Sequence, residues 1–422
     1  MKECKEYENI QCKITKNNTK NLIKYDNAIK NKHKDLFYNI GERYFTSAVI
    51  NYVLWIIENA KKDKIDAVCF LARDGYILKK CYDLYYQLID CNIPESKYLY
   101  ASRSVFYNSA ITYKYDWTDK LLYSLPLGQN IESYRLRWNI EKKDFSLLLE
   151  EMNLSEDYII NTKADQVKIK KIYSRLRPLI LDKATEKRKN LKQYWENEKL
   201  LGKNVAFVDI GWNGTCQSCI EKIVNVENIK IKITFYFFGT LPTNKYKKIN
   251  PESYKGCFFE LGKPAEISTE IFSGIPIMDC FFSAPHPYIL DLKKFDKNII
   301  PIYDKVENLD NIKYMKSMQE GVINQIKQVF KNKKQINQIK KLNINPLIKL
   351  IKNPTKKEAK AISKFKSSVT YGTERYNINI IQKEKLVDIL KNRKSLRKTY
   401  DNIMWKAGYK KINNFILRFF LK

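Results

Sequence analysis

Residues 205–217 (Val-Ala-Phe-Val-Asp-Ile-Gly-Trp-Asn-Gly-Thr-Cys-Gln) constrain the fold of this chain more than any other stretch. Four apolar residues lead into Asp209, glycines follow at Gly211 and Gly214, and a run compatible with a helix begins at Thr215. This order is typical of a buried parallel strand, a polar loop at its carboxyl end and a following helix. The glycines allow a ligand close to the backbone, and the amides at the start of a helix favour a phosphate. The alternative is an ordinary junction in which Asp or Thr caps the helix.

Two further stretches have the same design. Residues 66–80 contain an apolar strand, the turn Arg73-Asp74-Gly75 and an amphipathic helix, and residues 97–101 form a strand that ends in Ser102-Arg103. Because the carboxyl ends of parallel strands lie at one edge of a sheet, we expect these turns to face the loop 209–215 across one pocket.

The remaining pattern predicts an α/β protein with a mainly parallel sheet in a three-layer sandwich. Further strands are expected at 229–238 and 254–261. Residues 1–35 are read as a polar lead-in and 36–300 as the α/β core. A helical insertion at about 105–200, broken or kinked near Pro178, is expected to cover part of the pocket. Residues 301–422 are expected to form a basic C-terminal extension of helices without strands.

The net charge of +31 favours acidic partners: anionic lipid, a phosphorylated sugar or nucleic acid. Nucleic acid ranks last, since the sequence shows no recognisable nucleic-acid module and its charge is spread along the chain. Residues 396–422 are predicted to form a basic amphipathic helix on the inner membrane leaflet. The alternative is that its apolar face packs on the core of the protein; that face contains Trp405, Tyr409, Ile412, Ile416 and Phe419.

The amino terminus lacks the apolar segment of a signal peptide, and no apolar run reaches the length of a membrane span. We therefore expect a cytoplasmic protein, with peripheral contact to the plasma membrane through the tail. The nine cysteines follow no regular framework and are expected to be reduced. A structural zinc at Cys216-Gln-Ser-Cys219 is not expected, because no second pair has metal-site spacing and the chain has only two histidines.

Several motifs together resemble a bacterial family of haloacid-dehalogenase-like hydrolases associated with surface-polysaccharide biosynthesis. The motifs are Phe70-Leu-Ala-Arg-Asp-Gly-Tyr-Ile-Leu-Lys79, Tyr98-Leu-Tyr-Ala-Ser-Arg103, Phe207-Val-Asp-Ile-Gly-Trp-Asn-Gly-Thr215, Phe282-Ser-Ala-Pro-His286, Gln319-Glu-Gly321 and Asn353-Pro-Thr-Lys-Lys-Glu-Ala359. The resemblance spans roughly residues 38–375. It corresponds to the region that follows the hydrolase domain of longer members, whose Asp-x-Asp signature is not found in this sequence.

The resemblance implies magnesium-dependent chemistry on a phosphorylated sugar or nucleotide sugar, as a phosphatase or a sugar-phosphate transferase, in the synthesis of capsule or lipopolysaccharide. Asp74 would be the nucleophile, Ser102 the phosphate-binding hydroxyl and Asp209 the ligand of Mg²⁺. Tyr76, however, stands where a second acid is expected, and a phenol is a poor proton donor there.

Two alternatives remain open. In a phosphoribosyltransferase-like sheet, the Arg73-Asp74-Gly75 turn would hold a diphosphate and the loop 209–215 a sugar phosphate. In a non-catalytic partner of glycan assembly, Asp74 and Asp209 would be buried caps. The candidate catalytic residues are thus Asp74 and Asp209. The candidate phosphate-binding residues are Arg73, Gly75, Ser102, Arg103, Gly211, Asn213, Gly214 and Thr215.

Overall fold

The computed structural model describes residues 35–125, 127–240, 253–260, 266–304, 308–332, 344–371, 374–381, 400 and 403–420. For residues 266, 367–371, 374–379 and 414–420 it describes the backbone alone. The predicted polar lead-in lies outside these residues, except for its last member, Asp35.

The strands and helices are numbered in chain order. The strands are β1 (Ala67–Leu71), β2 (Glu95–Leu99), β3 (Gln129–Asn130), β4 (Ile159–Ile160), β5 (Asn204–Trp212), β6 (Lys232–Thr240), β7 (Tyr254–Phe259), β8 (Ile289–Phe295), β9 (Asn298–Tyr303), β10 (Lys366–Tyr371) and β11 (Glu374–Asn379). The helices are α1 (Leu36–Ile40), continued by a π-helical turn (Gly41–Phe45), α2 (Thr46–Lys62), α3 (Gly75–Leu88), α4 (Arg103–Ser109), α5 (Trp117–Tyr123), α6 (Ile131–Trp138), α7 (Lys142–Glu151), α8 (Lys163–Asn197), α9 (Thr215–Val226), α10 (Glu266–Ser273), α11 (Ile275–Phe281), α12 (Leu309–Lys331), α13 (Asn345–Lys352), α14 (Lys356–Ile362) and α15 (Lys406–Phe420).

Five strands form one sheet in the order β2-β1-β5-β6-β7, and every neighbouring pair is parallel. Counted along the chain these strands have the order 2-1-3-4-5, one of the two common orders of doubly wound sheets. The order reverses between β1 and β5, where the chain leaves one side of β1 and returns on the other. The predicted α/β class is confirmed.

The sheet is covered on both faces, because alternate side chains of each strand point in opposite directions. In β1, Val68 and Phe70 join a large core with α2, α3 and α12. Cys69 and Leu71 join a second core with α4, α9 and the carboxyl-terminal part of α8. These two cores make the three-layer sandwich that the sequence predicts.

The insertion has a small core of its own, formed mainly by α6, α7 and the first half of α8. No strand was predicted in this mostly helical insertion, and this is wrong at one point, since β3 and β4 pair as a two-residue antiparallel ladder. α8 is 35 residues long and continues through Pro178, so the break predicted near this residue is absent. Leu176 and Ile180 are buried on either side of Pro178, and this packing offsets the missing amide hydrogen bond.

The C-terminal region shares the large core instead of standing apart from it. Buried residues of α12, α13 and α14 belong to the same apolar cluster as α2 and α3. The prediction that this region lacks strands is wrong, because β10 and β11 form an antiparallel hairpin. The hairpin β8–β9, which packs on α8, was also not predicted.

The last helix turns at least part of its apolar face inward. Trp405 and Tyr409 are fully buried, and the Trp405 indole donates a hydrogen bond to the carbonyl of Ile351 at 2.7 Å. These two residues are therefore not available to a lipid surface. The side chains of Ile416 and Phe419 lie outside the described residues. Across the part of the chain that the structure describes, no helix combines the length and apolarity needed to cross a bilayer.

Candidate functional site

A cavity of about 410 Å³ opens at the carboxyl edge of the sheet. It lies where the strand order reverses, since β1 and β5 are neighbours and their carboxyl-terminal loops both line it. In open α/β sheets this is the usual place for a ligand. The cavity brings together the predicted residues Arg73, Asp74, Ser102, Arg103, Asp209, Gly211, Asn213, Gly214 and Thr215. The turn after β1 and the loop after β5 thus share one pocket, as predicted.

Gly75 is the one predicted site residue that does not line the cavity. It is the first residue of α3, and a Cβ atom there would lie 2.8 Å from the carbonyl carbon of Phe70. The glycine therefore allows α3 to start directly against β1. Its described role is packing, and phosphate binding by Gly75 stays a prediction.

The loop after β5 holds an unusual backbone. Gly211, Trp212 and Gly214 all have positive φ angles, of 95°, 79° and 63°. Such a conformation is costly for tryptophan, and strained backbone persists where surrounding structure enforces it, often at functional sites. Gly211 is also pressed against β6, since a Cβ atom there would lie 2.5 Å from the carbonyl oxygen of Gly239. The loop delivers the first turn of α9, including Thr215, to the cavity wall.

Asp74 and Asp209 form a hydrogen-bonded carboxyl pair across the junction of β1 and β5. Burial raises the pKa of Asp74 well above its usual range, and the charge of Asp209 adds to this effect. Burial also raises the pKa of Asp209, while the hydrogen bond from Asp74 opposes the rise. Asp74 therefore holds the proton and donates a hydrogen bond to Asp209. Two carboxyl groups this close cannot both ionise readily.

The capping role considered for Asp74 is not observed. Asp74 precedes α3, yet its side chain makes no capping hydrogen bond to that helix. Asp209 accepts from the amide of Ile210 at 2.8 Å, and Gly214, not Asp209, precedes α9. Tyr52 of α2 fixes the backbone here, because its hydroxyl lies 2.7 Å from the carbonyl oxygen of Asp209.

The two arginines of the site differ in how they are held. Arg73 has a φ of 72°; its amide donates to the Tyr98 hydroxyl at 2.9 Å and its guanidinium to Ser283 Oγ at 3.1 Å. Arg103 lines the cavity with an exposed side chain, and it makes no hydrogen bond or ion pair with any residue that the structure describes. A guanidinium held open in this way is suited to an anionic ligand.

Ser102 and Tyr76 depart from the roles implied by the resemblance. The Ser102 hydroxyl accepts from the amide of Val105 at 3.1 Å and so caps α4, although Ser102 also lines the cavity. Tyr76 does not line the cavity; its ring packs edge-on against Tyr98. Tyr76 is thus not placed to act as the second acid.

Asp279 of α11 is a third carboxyl group in the cavity, and sequence reasoning missed it. It makes no hydrogen bond with the described residues, and its side chain is accessible from the cavity. Desolvation by the surrounding protein raises its pKa to about 6, with Arg103 and Arg73 opposing and Asp209 adding to the rise. The only signal in the sequence was a single acid in the otherwise uncharged stretch 271–290, far from any strand end.

The motif at 282–286 forms part of the cavity wall through Ser283 and Ala284. Gln319 of α12 holds this segment, since its amide nitrogen donates to the carbonyls of Phe281 and Ser283 at 2.8 and 2.9 Å. His286 Nδ1 lies 2.8 Å from the carbonyl oxygen of Pro287, which only accepts; Nδ1 therefore carries a proton. The motif at 353–359 is structural: it forms a capping box at the start of α14.

Most of the insertion lies away from the cavity. Of residues 105–200, only Phe106 and Tyr107 among the described ones line it, so the expected cover is confined to α4. A second part of the lining, the facing wall, is formed by residues 272–288 together with α12, Phe365 and Lys366. The predicted C-terminal extension is therefore part of the site.

The donor set fits a magnesium ion of the kind that is bound by one or two carboxylates and completed by substrate phosphate and water. Asp209 would be the carboxylate ligand, because Asp74 carries the proton of the pair. Within the described ranges, no group of three or more His, Cys, Asp or Glu side chains is arranged to hold a metal by itself. Cys216 also lines the cavity, but burial raises the pKa of its thiol to about 12, which keeps it protonated at neutral pH.

No protein-family model matches the chain, and no curated protein matches it.

Proposed function

We propose that this protein is an enzyme that binds a phosphorylated sugar or nucleotide sugar and breaks or transfers its phosphate linkage. The observation that carries the proposal is the Asp74–Asp209 pair, which caps no helix and faces the same cavity as the unpaired Arg103. Buried carboxyl groups with raised pKa values in a cleft are typical of catalytic sites.

The phosphate is expected to lie between Arg103 and the start of α9. The first amides of a helix carry partial positive charge and lack partners within the helix. Thr215 at the start of α9 lines the cavity, as do Gly211 and Gly214 of the loop that precedes it. A guanidinium and free amides together are a common phosphate site.

The three carboxyl groups divide the chemical work. Asp74 loses its proton to water and attacks phosphorus through a carboxylate oxygen, and the bond from phosphorus to the leaving oxygen breaks as the new bond forms. Water or an acceptor hydroxyl then takes the phosphoryl group from Asp74, which frees the carboxyl group again. Asp279, with a pKa of about 6, donates a proton to that leaving oxygen and so takes the role that Tyr76 cannot fill. A magnesium ion bound by Asp209 would neutralise charge on the phosphate.

The wider setting that we propose is the assembly of a cell-surface polysaccharide in the cytoplasm. It is supported by the resemblance of the motifs at 70–79, 207–215 and 282–286 to the polysaccharide-associated family. The first two motifs line the cavity, through residues that include Asp74 and Asp209, and the third forms part of its wall. The resemblance and the carboxyl pair thus point to the same residues.

Activity and binding are tested on a panel of sugar phosphates and nucleotide sugars with Mg²⁺. Asp74→Asn and Asp209→Asn are expected to lower turnover by at least about a hundredfold, since the amide removes the nucleophile or the anionic oxygen. Their melting temperatures should not fall, because asparagine keeps the shape of aspartate and neither Asp74 nor Asp209 caps a helix. Arg103→Ala is expected to weaken ligand binding about tenfold or more.

Arg175→Ala is the matched control, because Arg175 forms an exposed ion pair with Glu151 and lies outside the cavity. It should behave as the wild type. Phosphate-dependent binding that survives in Asp209→Asn, with no turnover by the wild type on any substrate, would contradict the proposal and favour a binding protein.

A further inference from the structure

Lys366 is a residue of the C-terminal region whose backbone is fixed at the cavity. The backbone of Lys366 makes two hydrogen bonds with the side-chain amide of Asn311. The Asn311 nitrogen donates to the Lys366 carbonyl at 2.7 Å, and the Lys366 amide donates to the Asn311 oxygen at 3.0 Å. The preceding Phe365 is buried and packs edge-on against Phe37 and Tyr314. The chain is therefore fixed at the point where Lys366 begins β10.

The ammonium group of Lys366, in contrast, has no counter-ion among the described residues. The side chain is exposed and lines the same cavity as Arg103. Exposed lysines are ordinary in so basic a chain, and exposure alone would mean nothing. Lys366 differs from other exposed lysines because its backbone makes two hydrogen bonds with Asn311 and because it lines the cavity.

Arg103 and Lys366 are attached to different layers of the sandwich. Arg103 is the first residue of α4, which packs in the second core, whereas Lys366 is held by Asn311 of α12, which packs in the large core. One phosphoryl group at Arg103 and α9 would leave Lys366 free for a second anionic group. A lysine ammonium is a compact charge on a flexible stem and is a common phosphate ligand.

We infer that the cavity takes an organic diphosphate, with one phosphoryl group held by Arg103 and the start of α9 and the other by Lys366. This inference rests on the proposed function, because it names the substrate class of the same cavity. The organic part would lie along the apolar lining, where Phe272 is exposed and Ile275 and Pro276 are partly exposed.

The test measures calorimetric binding of inorganic phosphate and inorganic diphosphate, with Mg²⁺ present, to the full chain. The wild type is expected to bind diphosphate at least tenfold more tightly than phosphate. Lys366→Ala should lose that advantage while its affinity for phosphate stays within about twofold, since a charge-assisted hydrogen bond is worth about a tenfold change or more. Lys364→Ala, an exposed lysine two residues away and outside the cavity, should match the wild type.

Asn311→Ala is a second variant, which keeps Lys366 but removes the two hydrogen bonds that fix its backbone. It should weaken diphosphate binding, as Lys366→Ala does. Uridine diphosphate and farnesyl diphosphate then distinguish a nucleoside from an isoprenoid as the organic part. Tighter binding of either one than of inorganic diphosphate supports the inference. Unchanged diphosphate affinity in Lys366→Ala, with phosphate still bound through Arg103, would overturn the inference and leave the proposed function intact. A wild type that binds neither anion would overturn both.

Discussion

At the scale of single residues, Asp74 and Asp279 are carboxyl groups of one cavity whose pKa values are shifted by different surroundings. Asp74 keeps its proton through burial and a hydrogen bond to Asp209, and Arg73 only partly opposes this. Asp279 makes no hydrogen bond with described residues; desolvation raises its pKa to about 6, and two arginines limit that rise. Groups whose pKa values are pushed apart by their surroundings are suited to different steps of one reaction.

The protonation of Asp279 gives a prediction about the pH dependence of activity. A general acid works only when it carries its proton, so turnover should fall as pH rises through about 6. Asp279→Asn is expected to lower turnover at pH 5.5 by about a hundredfold and to remove this alkaline limb. Asp279→Glu should retain the limb, which makes it the control. A limb that persists unchanged in the asparagine variant would show that another group titrates there.

At the scale of elements, the site depends on how closely the loop after β5 approaches β6. Gly211 combines a positive φ of 95° with a space that a Cβ atom would overfill. Gly202 has a similar φ of 78° but nothing within 4 Å of the same atom. The two glycines therefore separate backbone strain from close packing.

Gly202→Ala should lower the free energy of unfolding only by the cost of a positive φ for alanine, about 1 to 2 kcal/mol. Gly211→Ala adds overpacking against Gly239 and Phe237 and should lower the free energy of unfolding by about 3 kcal/mol or more. Urea denaturation of the two variants and the wild type measures both values. Equal losses at the two positions would mean that the loop moves away from β6 at little cost.

The strand-loop-helix elements show what the sequence can reveal. Local patterns located β1, β2, β5 and the turns at their ends, because apolar runs and glycines act over a few residues. Parallel pairing then placed Asp74 and Asp209 together. The facing wall was not predictable in this way. The 3.6-residue period of α12 identifies its buried face but not its neighbour, and the contact between Asn311 and Lys366 joins residues far apart in the chain.

At the scale of the whole molecule, the C-terminal region is joined to the sheet domain by one continuous core. Trp405, next to α15, packs in that core and donates to the Ile351 carbonyl within it. The same core contains Val68 and Phe70 of β1. The region predicted as an extension therefore contributes to the stability of the part that holds the carboxyl pair.

Trp405→Ala is expected to lower the free energy of unfolding by about 3 to 5 kcal/mol, as for other buried aromatic truncations. Met404→Ala is the neighbouring control, because Met404 is exposed and its loss should stay within about 0.5 kcal/mol. Chemical denaturation followed by circular dichroism gives both values. A separate early transition with only a small part of the helical signal, followed by an unchanged main transition, would show that α15 unfolds independently.

The cavity walls come from distant parts of the chain, and this has a consequence for protein synthesis. The sheet strands are all present once β7 ends at Phe259, but Lys366 follows only about one hundred residues later. At ribosomal speeds of about 5 to 20 residues per second, that gap lasts roughly 5 to 20 s. During this time the nascent chain has its acidic pair but not the complete cavity lining. The growing polypeptide should therefore gain its full binding cavity only after Lys366 has left the ribosome.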